Sequence, residues 1–384
     1  MKLALSRAGT ESSLRRSWLV LIVATSAVIL MPQVFRFVPL PPVNLEEHRE
    51  LAPLPKLPTD FLSLQTFPQK LNEYIQDNFP LRSQIIAHLN YIRFLAGYSS
   101  QPKVIVGRDG WLFYDNGSHL AEGIGRTRLS QTELSDWIHG LKQRLSYAKS
   151  KGFGLYVLPA PQQESIYPEK LPGWLARQAQ PTTEIDQILD AATKQGVDEI
   201  VDVRPPLVAA KATRRVYGPY DTHWNGNGAY IAYHTLMTRI SRDYPDLTPL
   251  PQSGFAHHAL GDNVLAAMLG IANFVEDDAI SYLNWPLHDE KRTIFLADRK
   301  DWTAPQILET DSTSNRTLLL IRDSFSNELI PLLKPHFSRM IVVHLNDGFF
   351  RRDLIERYHP DIVIVEVIED GFRYAMHPLS EPSQ

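Results

Sequence analysis

Short and largely apolar runs constrain the fold of this chain more than any other feature of its sequence. The runs are Gly154–Leu158, Ile200–Val203, Thr317–Ile321, Met340–His344 and Ile362–Val367. Runs of this kind are typical of strands buried on both faces, as they are in a parallel sheet. Segments with helical spacing of apolar residues separate most of them. The sequence therefore predicts an α/β fold, with a parallel sheet covered by helices on both faces.

The remaining segments carry helix and turn signals. Ser130 followed by Glu133 predicts a capping box at the start of an amphipathic helix over Thr132–Lys149. Asp109-Gly110, between two apolar stretches, predicts the turn of a β-hairpin. Further helices are predicted over Phe61–Leu95, Thr183–Lys194, Asn225–Ser241, Phe325–Leu333 and Asp353–Tyr358.

The amino terminus has the layout of an export signal. Basic residues precede an apolar run over Trp18–Met31. Because basic flanks stay in the cytoplasm, the rest of the chain is expected in the periplasm. The run is shorter than the roughly 20 residues of a typical spanning helix. Two interpretations stay open: an inner-membrane signal anchor, favoured because no small-residue cleavage site follows the run, and a cleaved signal peptide.

These signals predict the domain organisation. Residues 1–40 are interpreted as a basic tip and signal anchor, and residues 41–60 as a proline-rich linker. A catalytic domain is predicted over residues 61–375, with a tail over residues 376–384. Residues 249–312 lack the alternation of strands and helices, so we interpret them as an insertion beside the functional site.

Composition excludes several classes of function. The 384 residues include no cysteine, which excludes thiol catalysis, thiolate metal sites and disulfides. A formal net charge of -4 gives no basic field for nucleic acid. His257, His258 and Asp262 are the nearest set of metal-ligating types, and loop chemistry is the favoured interpretation for them. The sequence therefore predicts no metal and no cofactor.

Ser324 follows directly after a predicted buried strand and opens a predicted helix. Ligands of open α/β sheets gather beyond the carboxyl ends of the strands, and a helix amino terminus offers free amide donors. Ser324 is therefore a candidate nucleophile, with its own amide as a candidate oxyanion donor. The alternative is that Asp323 or Ser324 only caps the helix.

Asp221 and His223 stand two residues apart just before a predicted helix. If this stretch is extended, the two side chains point to the same side, where the carboxylate can fix the imidazole tautomer. Trp224 then faces into the packing, and Asn225 is placed to cap the helix. A surface loop with a satisfied histidine is the alternative.

These motifs together resemble those of the alginate O-acetyltransferase AlgX/AlgJ family, whose domains are SGNH-hydrolase-like. The resemblance rests on Val106–Phe113, on Asp221–Asn225 with Gly228–Tyr230, and on Arg322–Phe325, which occur in the expected order. It implies a periplasmic enzyme that acetylates a bacterial exopolysaccharide. It also implies that Asp221, His223 and Ser324 form the catalytic triad, in an order that differs from that of ordinary SGNH hydrolases.

The resemblance further implies an acetyl-serine intermediate, a membrane-bound O-acyltransferase as acetyl donor, and other export proteins as partners. Arg322 stands where alginate-type members often have glycine, so the polysaccharide stays open. Arg322 and Asn346 are candidate substrate or oxyanion contacts. Two other functions also stay open: an acetyl esterase with the same triad, and a non-catalytic polysaccharide-binding subunit of an export complex.

Overall fold

The computed structural model describes residues 17–27, 43, 50–259, 263–277, 280–282 and 290–379. The chain divides into two compact units. One comprises Met1–Arg93 with Ala267–Phe274, and the other comprises Phe94–Ala266 with Val275–Gln384. The central sheet and every candidate site residue belong to the second unit.

The described part of the first unit consists mainly of helices and a non-helical stretch over residues 50–60. It contains α1 (residues 17–27), α2 (Phe61–Asp77) and most of α3 (Arg82–Leu95). The sequence predicted one largely helical segment here, and the structure breaks it because Pro80 restricts the residue before it. Among these and all other described helices, none is both long and apolar enough for a membrane crossing. The predicted anchor lies outside the described residues except for α1.

The second unit is built on a six-stranded sheet in the order β3-β10-β8-β9-β7-β6. The first four strands are parallel to one another. At one edge, β7 pairs antiparallel with β9, and β6 pairs antiparallel with β7. The sheet is therefore mostly parallel, as predicted. The strands are β3 (Gly154–Ala160), β6 (Glu290–Phe295), β7 (Gln306–Thr310), β8 (Thr317–Arg322), β9 (Arg339–His344) and β10 (Ile362–Ile368). Residues 249–312, interpreted as an insertion, thus supply two strands of the main sheet.

Alternate residues of the central strands pack into two separate cores. In β8, Leu318 and Leu320 belong to a core that includes α10 (Gly226–Asp243). Leu319 and Ile321 belong to the opposite core, which includes α5 (Gln131–Lys151) and α8 (Glu184–Lys194). Each fully buried side chain of this size contributes about 1.5–3 kcal/mol. The prediction of helices on both faces of the sheet is confirmed.

Most predicted elements are present, with bounds that shift by a few residues. The predicted capping box joins Ser130 and Glu133, and the predicted hairpin turns at Asp109, with φ of 55°, and Gly110, with φ of 75°. The other helices are α4 (His119–Gly123), α6 (Gln163–Ile166), α7 (Gly173–Ala176), α9 (Arg204–Ala210), α11 (Val264–Leu269), α12 (Ile330–Leu333) and α13 (Arg352–Tyr358). The other strands are β1 (Val104–Val106), β2 (Leu112–Tyr114), β4 (His257–Ala259) and β5 (Ile280–Tyr282).

Two element predictions were wrong. Ile200–Val203 forms only one bridge to β3, because Asp202 Oδ1 accepts the Arg204 N–H at 3.0 Å and turns the chain into a helix. Phe325–Leu333 is a 3₁₀ turn over Ser324–Asn327 followed by the short helix α12. Pro331 near the start of α12 has no N–H to continue an earlier helix.

Candidate active site

Ser324 lies directly beyond the carboxyl end of β8. Asp323 caps the short turn that follows, with Oδ1 accepting the Phe325 N–H at 2.9 Å. Its Oδ2 accepts the Ile368 N–H at 2.6 Å, at the end of the neighbouring strand β10. Asp323 is thus the capping residue, and the Ser324 hydroxyl is free for another contact. The Ser324 N–H makes none of the hydrogen bonds described for this part of the chain.

Asp221 and His223 meet through a tight turn rather than an extended strand. Asp221 Oδ1 accepts both the backbone N–H of His223, at 2.9 Å, and its Nδ1–H, at 2.7 Å. Asp221 Oδ2 accepts the Val264 N–H at 3.1 Å. The extended backbone considered from the sequence is not present, but the turn brings the same two side chains together. Val264, in the stretch interpreted as an insertion, had no sequence signal for this contact.

His223 completes a hydrogen-bonded relay, which we call the Asp221–His223–Ser324 relay. His223 Nε2 lies 2.8 Å from Ser324 Oγ. With the proton on Nδ1 directed at Asp221, Nε2 presents its lone pair to the serine hydroxyl. Burial raises the pKa of Asp221, but the hydrogen bonds and charge of His223 outweigh it and hold the pKa below its ordinary value. Asp221 is therefore ionised beside the imidazole.

Trp224 fixes the turn of His223 to the loop of Ser324. Its indole Nε1–H donates to the Phe325 carbonyl oxygen at 3.0 Å, and its ring meets the Phe325 ring edge-on at 5.1 Å. Trp224 is fully buried, as predicted. Asn225 caps α10, with Oδ1 accepting the Gly228 N–H at 3.1 Å. These contacts fix the start of α10 relative to residues 323–327, which we call the nucleophile loop.

Arg322 is buried and holds the nucleophile loop in place through hydrogen bonds. It is 2% exposed, and its Nη1 donates to the Asp323 carbonyl oxygen at 3.0 Å and to Asn327 Oδ1 at 2.9 Å. Its Nη2 donates to the Trp302 carbonyl oxygen at 2.6 Å. The guanidinium is therefore directed at the protein's own carbonyl groups.

Asn346 lies in the turn Leu345–Asp347 at the end of β9 and is exposed. Its backbone N–H donates to His344 Nδ1 at 3.1 Å. No contact described for its side chain joins it to the Asp221–His223–Ser324 relay.

Glu366 is a site residue that the sequence reasoning missed. Its Oε2 accepts the Asp323 N–H at 3.1 Å and the Ser326 hydroxyl at 2.7 Å. Burial and the Asp323 charge raise the pKa of Glu366 well above its ordinary value. Burial also raises the pKa of Asp323, but two backbone amides that donate to its carboxylate oppose this rise. The proton therefore lies on Glu366, which hydrogen-bonds the Asp323 side chain. A lone carboxyl inside the apolar run of β10 was the signal available in the sequence.

A largely buried cluster of carboxyl groups around one histidine lies near the carboxyl ends of β3 and β10. It comprises His119, Glu122, Glu164, Glu369 and Asp370. His119 Nδ1 lies 3.1 Å from Asp370 Oδ2, and its Nε2 lies 3.7 Å from Glu164 Oε1. Burial is the main cause that raises the pKa of Glu164 to about 7 and of Glu122 to about 8. Within the described ranges, no three histidine or acidic side chains are arranged to hold a metal ion.

A mostly parallel sheet with a hydrogen-bonded Asp–His–Ser set at the carboxyl ends of its strands defines an α/β protein with a serine-hydrolase-like site. The sequence profile described as "SGNH hydrolase-like domain, acetyltransferase AlgX" matches residues 104–351. The chain belongs to this family, as its motifs indicated.

Individual relatives match over part of their length. The chain is 28% identical over 184 residues to the probable alginate O-acetylase AlgJ of Pseudomonas fluorescens, covering 46% of this chain and 42% of the relative. AlgJ of Pseudomonas putida is 28% identical over 167 residues, covering 43% and 40%. The chain thus spans less than half the length of either relative. The structure of Bacillus cereus PatB1 with a sulfonyl adduct has a TM-score of 0.52 at 13% identity, covering 70% of this chain and 97% of that chain, a similarity of fold.

Proposed function

We propose that this protein transfers acetyl groups onto hydroxyl groups of a bacterial exopolysaccharide. The Asp221–His223–Ser324 relay is the observation that supports this most, with His223 at 2.7 Å from Asp221 and 2.8 Å from Ser324. A relay of this geometry activates a serine for acyl transfer. The relatives are named alginate O-acetylases, which makes alginate the first acceptor to examine.

The chemistry proceeds through an acetyl-serine. Ser324 Oγ attacks the acetyl carbonyl carbon while His223 Nε2 takes the hydroxyl proton. The bond to the donor breaks, and His223 returns the proton to the leaving group. A sugar hydroxyl then gives its proton to His223 and attacks the acetyl-serine. The sugar acetate forms as Ser324 regains a proton, and the Asp221 carboxylate stabilises each imidazolium.

The Ser324 N–H is the donor best placed to stabilise the oxyanion. It belongs to the nucleophile itself, at the start of the turn Ser324–Asn327, and makes none of the described hydrogen bonds. One such donor is worth about 3 kcal/mol of transition-state stabilisation. The candidate contacts Arg322 and Asn346 have no role in this scheme. Arg322 is directed at backbone carbonyl groups. No contact described for the Asn346 side chain joins it to the Asp221–His223–Ser324 relay.

We further propose a periplasmic location with a retained signal anchor over residues 1–40. The basic flank and the apolar run Trp18–Met31 support it. A periplasmic enzyme receives its acetyl group from across the membrane, and a membrane-bound O-acyltransferase is the partner suited to that step. Other export proteins of the polysaccharide are the remaining expected partners.

The Ser324→Ala variant tests the proposal. We expect acetyl transfer to fall by about 10⁴-fold or more, because no other group replaces the nucleophile. Transfer is measured by mass spectrometry of oligomannuronate incubated with an acetyl ester, and circular dichroism checks the fold. Ser150→Ala, in an exposed position on α5, is the matched control and should behave like the wild type.

Each outcome decides between functions. A folded Ser324→Ala variant with full activity contradicts the assignment of the nucleophile. A wild-type protein that releases acetate in the presence of glycan, without acetylated glycan, is an esterase. A wild-type protein that binds glycan but processes no acetyl ester is a non-catalytic subunit.

A further inference from the structure

Trp302 lies at the same end of the sheet strands as Ser324. Strand β7 runs antiparallel to β9, and its first residue, Gln306, pairs with Val342 toward the end of β9. The loop over residues 296–305, which precedes β7, therefore lies beside the carboxyl ends of β8 and β9. Trp302 belongs to this loop and is 51% exposed.

A buried arginine fixes Trp302 relative to the nucleophile. The Arg322 guanidinium carbon lies 4.9 Å from the centroid of the Trp302 ring, a favourable cation–π contact. The same guanidinium donates to the carbonyl oxygens of Trp302, at 2.6 Å, and of Asp323, at 3.0 Å. Asp323 is joined to Ser324 by one peptide bond. The indole and the nucleophile loop are therefore held by one rigid group.

Other contacts keep the tryptophan loop in place. The His344 ring meets the Trp302 ring edge-on at 5.1 Å. Arg299 forms an ion pair with Asp347 and donates to the Thr303 carbonyl oxygen at 3.1 Å. The exposed ring is thus preformed, so a ligand that binds it loses little affinity to ordering of the loop.

We propose that Trp302 forms an acceptor subsite, where its exposed ring stacks on a pyranose ring next to the sugar that is acetylated at Ser324. This inference rests on the proposed function. The C–H groups of a pyranose ring are weak donors that pack on the electron-rich face of an indole. The ring's sequence neighbours are Lys300, Asp301 and Thr303, so the exposed indole lies within a polar stretch. A single rigid aromatic ring in polar surroundings suits a sugar better than a broad protein interface.

Trp302→Ala tests the subsite, with oligomannuronates of increasing length as acceptors. We expect the acceptor KM to rise about tenfold with the longer oligomers, which corresponds to about 1.4 kcal/mol. The loss should be smaller for the monosaccharide, which does not reach the subsite. Trp302→Phe keeps an aromatic face and should recover part of the affinity. Trp174→Ala removes a second tryptophan that is 52% exposed, and we expect it to match the wild type.

Direct binding separates this inference from the proposed function. Calorimetric titration of the Ser324→Ala protein with the same oligomers needs no chemistry, and adding Trp302→Ala should weaken binding about tenfold. If the wild type hydrolyses acetyl esters but acetylates no glycan, the proposed function fails, and the titration still decides the subsite. Equal affinity with and without Trp302, or no affinity for any oligomer, overturns the subsite. A loss independent of acceptor length also overturns it.

Discussion

The proton on Glu366 determines how the loop of Ser324 is held. As a neutral acid, Glu366 accepts the Asp323 N–H and the Ser326 hydroxyl on one oxygen and hydrogen-bonds the Asp323 carboxylate. An ionised Glu366 would place two carboxylates side by side in a buried environment, which is strongly unfavourable. Glu366 is therefore a positioning residue, because it is fully buried and acts on Ser324 through its contacts with the neighbouring residues Asp323 and Ser326.

A neutral amide should replace this neutral acid. We expect Glu366→Gln to keep most of the acetyl-ester hydrolysis with an unchanged pH profile. The amide oxygen can accept from the Asp323 N–H and the Ser326 hydroxyl, and the amide NH₂ can donate to the Asp323 carboxylate. Glu366→Leu leaves the Asp323 N–H without its partner, at a cost of about 1–3 kcal/mol. Displacing the nucleophile should lower kcat about 10²-fold with little change in KM. Steady-state kinetics across pH measure both variants.

Rescue by glutamine distinguishes positioning from other roles. If Glu366 acted as an ionised group, Glu366→Gln would lose activity and shift the pH profile. Equal losses in the Gln and Leu variants would contradict the assignment of the proton to Glu366. Where the Leu variant fails to fold, the Gln variant alone still decides the question.

At the scale of elements, the start of α10 determines the position of His223. Asn225 caps this helix through Gly228 and also donates to the Arg215 carbonyl oxygen at 3.1 Å. Gly228 is required by close packing, because a Cβ there would lie 2.3 Å from the Val216 carbonyl oxygen. The start of the helix is thus determined by Asn225 and by Gly228 three residues later, and His223 lies two residues before the cap.

The cap can be tested with a matched pair of substitutions. We expect Asn225→Ala to lower the free energy of unfolding by about 1–2 kcal/mol, because the Gly228 N–H loses its acceptor. Asn225→Asp keeps the acceptor and should lose less. Urea denaturation followed by circular dichroism measures both variants. Equal destabilisation by Ala and Asp would assign the role of Asn225 to its bond with Arg215 instead.

The sequence predicted the elements whose signals are local. Caps such as Ser130 and Asn225, and the apolar runs of β3, β8, β9 and β10, act within a few residues and were found. Ile200–Val203 was not, because a turn at Asp202 competes locally with strand pairing. The strands β6 and β7 and the Val264 contact to Asp221 depend on distant pairing, which a single sequence does not record. Asp221 and His223 meet through a turn, so the two side chains come together without the extended backbone that the sequence argument considered.

At the scale of the whole molecule, several buried carboxyl groups lie near the carboxyl ends of the sheet strands. Burial raises the pKa of Glu164, Glu122, Glu366 and Glu369 above their ordinary value of 4.5. These groups stay protonated in the folded protein at pH values where the unfolded chain has released its protons. Their contribution to stability is therefore complete below about pH 4.5 and is lost as the pH rises through the folded-state values.

This charge distribution predicts that the free energy of unfolding falls between pH 5 and pH 8, which urea denaturation across that range measures. Glu164, with a folded-state pKa of about 7, accounts for roughly 3 kcal/mol of the fall at most. Glu164→Gln should flatten the curve by up to that amount, because glutamine releases no proton in either state. Glu356→Gln, at an exposed position, should follow the wild type. A wild-type stability that rises steadily from pH 5 to pH 8 would mean that these carboxyl groups are ionised in the folded protein, with cations or water compensating their charge.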